Sequence, residues 1–174
     1  MSTAERTLTG EYADLLQTLG KHRDFLRYTV RDLTDEQAAR RTTASDLCLA
    51  GIIKHVALVE RNWLSFIEGG ASAMASGQGD VSVGDWLDGF RPMPGETLAG
   101  LLRQYDEVAR RTDELVASRP DLDAAQPLPE APWFEPGASW TVRRVLLHIL
   151  AETAQHAGHA DIIRESLDGG KTMG

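Results

Sequence analysis

A chain of 174 residues, 42% hydrophobic and 25% charged, has the balance of an ordinary globular protein. That length predicts a single domain over residues 1–174, large enough to bury a core. The net charge of −8 argues against a nucleic-acid partner, which would need a basic face. No run approaches the roughly 18 apolar residues of a membrane span. The lone cysteine, Cys48, excludes an internal disulfide and fits a reducing compartment. The opening "MSTAERTLTGEYADLL" carries charges and no apolar h-region, so no signal peptide is expected and the expected setting is the cytoplasm.

Four segments show helical periodicity, and none alternates as a strand. The first runs from Thr9 to Asp32 on Tyr12, Leu15, Leu16, Leu19, Phe25 and Leu26. Thr34 then offers the start of a short extra turn. The second runs from Ser45 to Glu68 on Leu49, Ile52, Val56, Val59, Trp63 and Phe66, and Gly69 and Gly70 stop it. A link from Gly69 to Gly95, rich in Gly, Ser and Ala, follows. The third helix starts after "MPGE" and reaches Ser118 on Leu98, Leu101, Leu102, Tyr105, Val108, Leu115 and Val116. The next link, "RPDLDAAQPLPEAPWFEPGAS", is rich in proline. The fourth helix starts near "SWT", where Ser139 or Thr141 supplies the cap, and ends at Asp168 before Gly169 and Gly170. Loops as long as these two are functional or disordered in a compact domain. They carry Trp86, Phe90, Trp133 and Phe134, which either pack down onto the helices or form an exposed apolar surface. The expected fold is an all-α four-helix bundle with two long inter-helix loops. Metal and ligand sites in bundles lie between facing helices.

The fourth helix carries polar groups on its inner side. With His148 set at zero and about 100° per residue, Val142, Val145, Ile149, Ile163 and Leu167 centre near roughly 90°. On the same wheel His156 falls at about 80°, Glu152 at about 40° and His159 at about 20°. His156 therefore points inward, and Glu152 lies one turn before it. A carboxylate on a buried face is costly unless it is paired or binds a metal. Glu152 has no Lys or Arg three or four residues away on its helix. A Glu and a His at i and i+4 share one side of a helix and can share one ion. A third ligand must come from another helix, and the second offers His55 beside Ile52 and Val59. His55, Glu152 and His156 make a set of two nitrogens and one oxygen. Each histidine alone has the simpler reading of a satisfied core residue. His22, in "GKHRDFL", reads as exposed, and Cys48 as a small buried hydrophobe. His148 reads as a boundary residue. Asp161 and Arg164 read as surface charges or as partners of another helix. None of the five histidines has a Glu three residues before it, which excludes the di-iron pattern, and H-E-x-x-H is absent.

The segments "GIIKHVALVERNW" and "LLHILAETAQHAGHADIIRE" resemble the DinB/YfiT-like superfamily. They most resemble its actinobacterial branch, related to mycothiol S-transferases and the bundle domain of mycothiol-dependent maleylpyruvate isomerase. The resemblance covers the chain in helix order and loop placement. It implies a four-helix bundle of unusual connectivity and a divalent metal, zinc or nickel. Most members use one histidine from the second helix and an H-x-x-x-H pair in the fourth. The first of that pair is here Glu152, as in the maleylpyruvate isomerase branch. Carried over by position, the implied ligands are again His55, Glu152 and His156. His159 would then support a ligand, contact substrate or carry a proton.

Three protein ligands leave a position open, the pattern of a catalytic zinc site. A thiol there, which the resemblance makes mycothiol, would be deprotonated and attack an electrophile, giving S-transfer or isomerisation. Such an enzyme serves detoxification. Water there would give metal-bound hydroxide and hydrolysis. A bundle that binds metal or an apolar ligand without catalysis is the third reading. The expected partners are a small-molecule thiol and an electrophile, not nucleic acid or membrane, in a monomer or homodimer. The loops carrying Trp86 and Trp133 would shape the mouth.

Overall fold

A computed structural model describes residues 10–75, 88–118 and 121–172. Four long helices dominate it: α1 (Glu11–Thr29), α3 (Leu49–Gly69), α5 (Leu98–Ser118) and α6 (Val142–Asp168). Two short helices, α2 (Asp35–Ala38) and α4 (Ala71–Ala75), flank α3. The helix ends follow local chemistry. Thr34 opens α2 with a capping box, its hydroxyl accepting from Gln37 N while the Gln37 side chain accepts from Thr34 N. Of the two expected caps for the last helix, Thr141 is the one used: its hydroxyl accepts from Arg144 N at 3.1 Å. Gly169 ends α6 in the left-handed conformation, at φ 79°.

The proline-rich link departs from the expectation of no strands. Ala125–Pro127 (β1) pairs antiparallel with Ser139–Thr141 (β2), with Gln126 opposite Trp140. Three residues are too few for alternation to appear in sequence, and Pro127 argues against a strand on composition. The ribbon closes the link back on itself and delivers the chain to the start of α6. Among the described residues, no helix is long and apolar enough to cross a membrane.

Around the bundle, α6 packs on α1 and α3, and α5 packs on α3 and more lightly on α1. The interior has two apolar blocks. One gathers Leu26, Ile52, Ile53, Val56, Leu101, Tyr105, Ala160 and Ile163. The other gathers Leu19, Trp63, Phe66, Val116, Val145 and Ile149. The four long helices also bury polar residues, among them Arg23, Glu60, Thr112 and Thr153. Arg23 Nε and Nη2 both donate to the Glu60 carboxylate, and Nη1 donates to Asp113 at 2.9 Å. Burial disfavours the charge on Arg23, but Glu60 and Asp113 together outweigh it and raise the Arg23 pKa. Burial, followed by the nearby Glu60 charge, likewise pushes the Tyr105 phenol up.

Arg164 corrects the surface-charge reading. It is 7% exposed, and its guanidinium donates to Asp168 and to the backbone oxygens of Thr29 and Arg31. It therefore supplies donors to carbonyls left open at the C-terminal end of α1. Asp161 accepts from Thr172 N at 2.7 Å. His22 is half-buried and edge-on to Phe25, not exposed.

Candidate metal centre

The interface of α3 and α6 brings His55, Glu152 and His156 together. One ligand atom from each lies within 4.8 Å of the others. Glu152 Oε2 is 3.9 Å from His55 Nε2 and 3.7 Å from His156 Nε2. The i, i+4 spacing on α6 stacks Glu152 and His156 on one side of the helix. Ligand atoms on a tetrahedral ion with bonds of about 2.1 Å stand roughly 3.4 Å apart, so the two carboxylate gaps need close by only a few tenths of an ångström.

The protonation states suit a cation. Burial, with the neighbouring His55 adding to it, pushes the His156 imidazole down to about 4. It is therefore neutral at pH 7, with a lone pair available. The facing His55 imidazole outweighs burial and holds the Glu152 carboxyl below its ordinary range. At 3.9 Å that influence is proximity and not a formed hydrogen bond. Two imidazole nitrogens and one carboxylate oxygen are a donor set that zinc accepts. The residues fit a divalent ion.

Further residues surround this set. His159 Nδ1 lies 3.5 Å from His156 Nδ1, on the far side of the ring from Glu152. His148 Nε2 lies 4.0 Å from Glu152 Oε1, edge-on to Trp63 and Trp140. Burial lowers the His148 pKa. Trp63 and Trp140 stack at 4.6 Å, and Phe134 meets both edge-on. On the other flank Phe90 stacks on His55 with ring centroids 3.8 Å apart.

The four loop aromatics thus separate. Phe90 and Phe134 pack onto the helices. Trp133 is 76% exposed, touching Phe134 edge-on at 6.2 Å. Trp86 lies outside the described residues. Sequence reading assigned Trp63 to an apolar stripe and gave Phe90 no place in the site. The one local signal for Phe90 was Gly51, a glycine inside a helical pattern one turn before His55. Cys48 is buried at the start of α3, and burial pushes its thiol up, away from reactivity. Two surface cavities lie elsewhere. One of about 530 Å³ is lined by residues 128–132 and 134–137, and one of about 390 Å³ lies between the end of α1 and the start of α5. Neither is lined by the three converging residues.

Two imidazoles and a carboxylate meeting across facing helices define a class: a helical bundle with a candidate site for a divalent ion. A model of the family described as Mycothiol-S-transferase matches residues 14–169. The chain belongs to that family. It is accordingly a mycothiol-related transferase, and its partner is a small-molecule thiol. Among curated proteins, none matches the chain.

Proposed function

We propose that the protein is a metal-dependent thiol S-transferase whose metal ligands are His55, Glu152 and His156. The observation that carries this reading is the convergence of their donor atoms from α3 and α6 within 4.8 Å. Zinc suits the donor set best, and nickel fits it too. A divalent cation held there would lower the pKa of a thiol, about 8.5 when free, so that thiolate forms at neutral pH. The chain's own part is to hold and orient. Glu152 offers its carboxylate between the two imidazoles. His159 faces the Nδ1 side of His156 and fixes which nitrogen of that ring carries the proton. The Trp63, Trp140 and His148 rings on one flank, and Phe90 on the other, keep water from the sides of the site.

In the transfer itself, the thiolate sulfur forms a bond to an electrophilic carbon of the second substrate. The bond from that carbon to its leaving group breaks, and the leaving group departs with the electron pair. The thiol proton goes to solvent. Mycothiol is the proposed thiol, on the family match, and disposal of reactive electrophiles in the cytoplasm is the proposed role.

Elemental analysis of the purified protein, with thiol-transfer assays before and after chelation, tests this reading. About one equivalent of divalent metal is expected, lost in His156→Ala. Chelation should abolish transfer, and added metal should restore it. Full transfer by a metal-free protein would overturn the proposal. Ester or amide hydrolysis with no thiol present would replace it with the hydrolase reading.

A further inference from the structure

We propose that Phe90 is the positioning residue of His55, and that the chain around it is built to keep its ring on that imidazole. The inference rests on the reading of His55 as a ligand. Three observations carry it independently.

The first is the stack itself. The Phe90 and His55 rings are 3.8 Å apart at 19°, a near-parallel contact that leaves the imidazole little freedom to turn. The same imidazole meets His156 edge-on at 4.8 Å, so the plane set by Phe90 is the plane in which Nε2 faces Glu152. The second is a backbone cradle. Gly51 is buried one turn before His55 on α3, on the same side of the helix. A Cβ there would fall inside the Phe90 carbonyl group and 3.2 Å from Arg91 N. Glycine at 51 is what lets the Phe90 backbone lie against α3. The third is a tether one residue away from His55. Lys54 Nζ donates to Arg91 O at 3.3 Å and to Glu96 Oε2 at 2.8 Å. The same Glu96 oxygen accepts from Met93 N at 2.7 Å. The segment from Phe90 to Glu96 is thus pinned to α3 beside the stack. A ring that merely filled core space would need neither the cradle nor the tether.

Support of this kind around a ligand is worth 10–100-fold in metal affinity. The experiment is zinc affinity by competition with a chromophoric chelator, on the full chain, for wild type, Phe90→Leu, Phe90→Tyr and Gly51→Ala. Urea unfolding of each metal-free protein runs alongside. Phe90→Leu keeps apolar bulk but not the flat ring, and its zinc affinity should fall by roughly 10-fold or more. Phe90→Tyr should restore wild-type affinity. Gly51→Ala should resemble Phe90→Leu, although position 51 touches no ligand. The His55 proton resonances should lose the ring-current shift in Phe90→Leu and keep it in Phe90→Tyr. Equal zinc affinity in wild type and Phe90→Leu overturns the inference, as does a Phe90→Tyr variant as weak as Phe90→Leu. A loss of affinity matched by an equal loss of metal-free stability reduces Phe90 to a core residue and overturns it too. A wild-type protein that takes up no zinc or nickel sinks the metal reading itself, an outcome distinct from all of these.

Discussion

The ion pair in the middle of the bundle offers a sharp test of how the helices are held. Glu60 is 0% exposed and Arg23 is 2% exposed, so neither has water to fall back on. Removing one member of a buried pair costs about 3–5 kcal/mol, because the other is left uncompensated. The two ends of the pair are not equivalent. Without Glu60, Arg23 keeps its bond to Asp113, whose side chain is 50% exposed. Without Arg23, Glu60 has no other cation among the ion pairs of the described residues. Glu60→Gln should therefore fall at the low end, about 3 kcal/mol, and Arg23→Met at the high end, about 5 kcal/mol. In a chain of this size the first corresponds to a drop in Tm of roughly 6–12 °C. The double variant Arg23→Met/Glu60→Leu exchanges the pair for apolar bulk, an exchange that is often neutral or stabilising. It should be several kcal/mol more stable than the sum of the single variants predicts. Urea titration of the metal-free proteins, followed by circular dichroism, measures all three. Single variants within about 1 kcal/mol of wild type, or a double variant at the additive sum, would refute the argument.

Two further outcomes concern the site. Glu152→Gln keeps shape and removes charge, so zinc affinity should fall at least as far as for a supporting residue, by roughly 100-fold or more, read by chelator competition; unchanged affinity would remove Glu152 from the ligand set and make His159 the candidate third donor. The second outcome is pH dependence of the metal-free protein. The folded-state pKa of His156 is about 4, below its ordinary value of 6.5, so the unfolded chain takes up a proton in that window and the folded chain does not. Stability should be full above pH 6.5 and fall as pH drops towards 4, by roughly 3 kcal/mol from His156. The lowered values of His148 and Glu152 act with the same sign. Denaturant midpoints that stay flat across this window would contradict the burial argument.

Much of this architecture was legible because a long helix repeats its signal. The stripe of Leu49, Ile52, Val56 and Trp63 located α3 within a few residues, and "SWT" located the start of α6. Glu152 and His156 were legible for the same reason, since their spacing sets a shared face without knowledge of the fold. What periodicity cannot show is a coincidence of height between helices. Arg23 and Glu60 each interrupt an apolar stripe once. Only the packing of α1 against α3 makes them a pair. Nor does composition separate Trp133 from Phe134, adjacent aromatics of which one is exposed and one is packed. Phe90 is the extreme case. Its partner His55 lies 35 positions earlier, and the contact depends on a glycine and a lysine in another element.

The buried ion pair and the candidate site lie on shared helices. On α6, Glu152 turns to the site while its neighbour Thr153 turns to the core, its hydroxyl donating to Ile149 O at 2.8 Å. On α3, His55 faces the site and Glu60, just over one turn later, faces Arg23. The Arg23–Glu60 pair ties α3 to α1, and α6 packs on both of them. A metal centre needs its donors placed within about 0.5 Å, which rigid elements achieve and loops do not. The loop segment at Phe90 meets that demand through its cradle and tether to α3. Of the three candidate ligands Glu152 opens most to solvent, its side chain 29% exposed against 15% for His55 and 11% for His156. Under the proposed function, thiol and electrophile would approach from the Glu152 side, bordered by His148 and the stacked tryptophans. Substitutions at Trp140 should accordingly change KM for the electrophile before they change metal content.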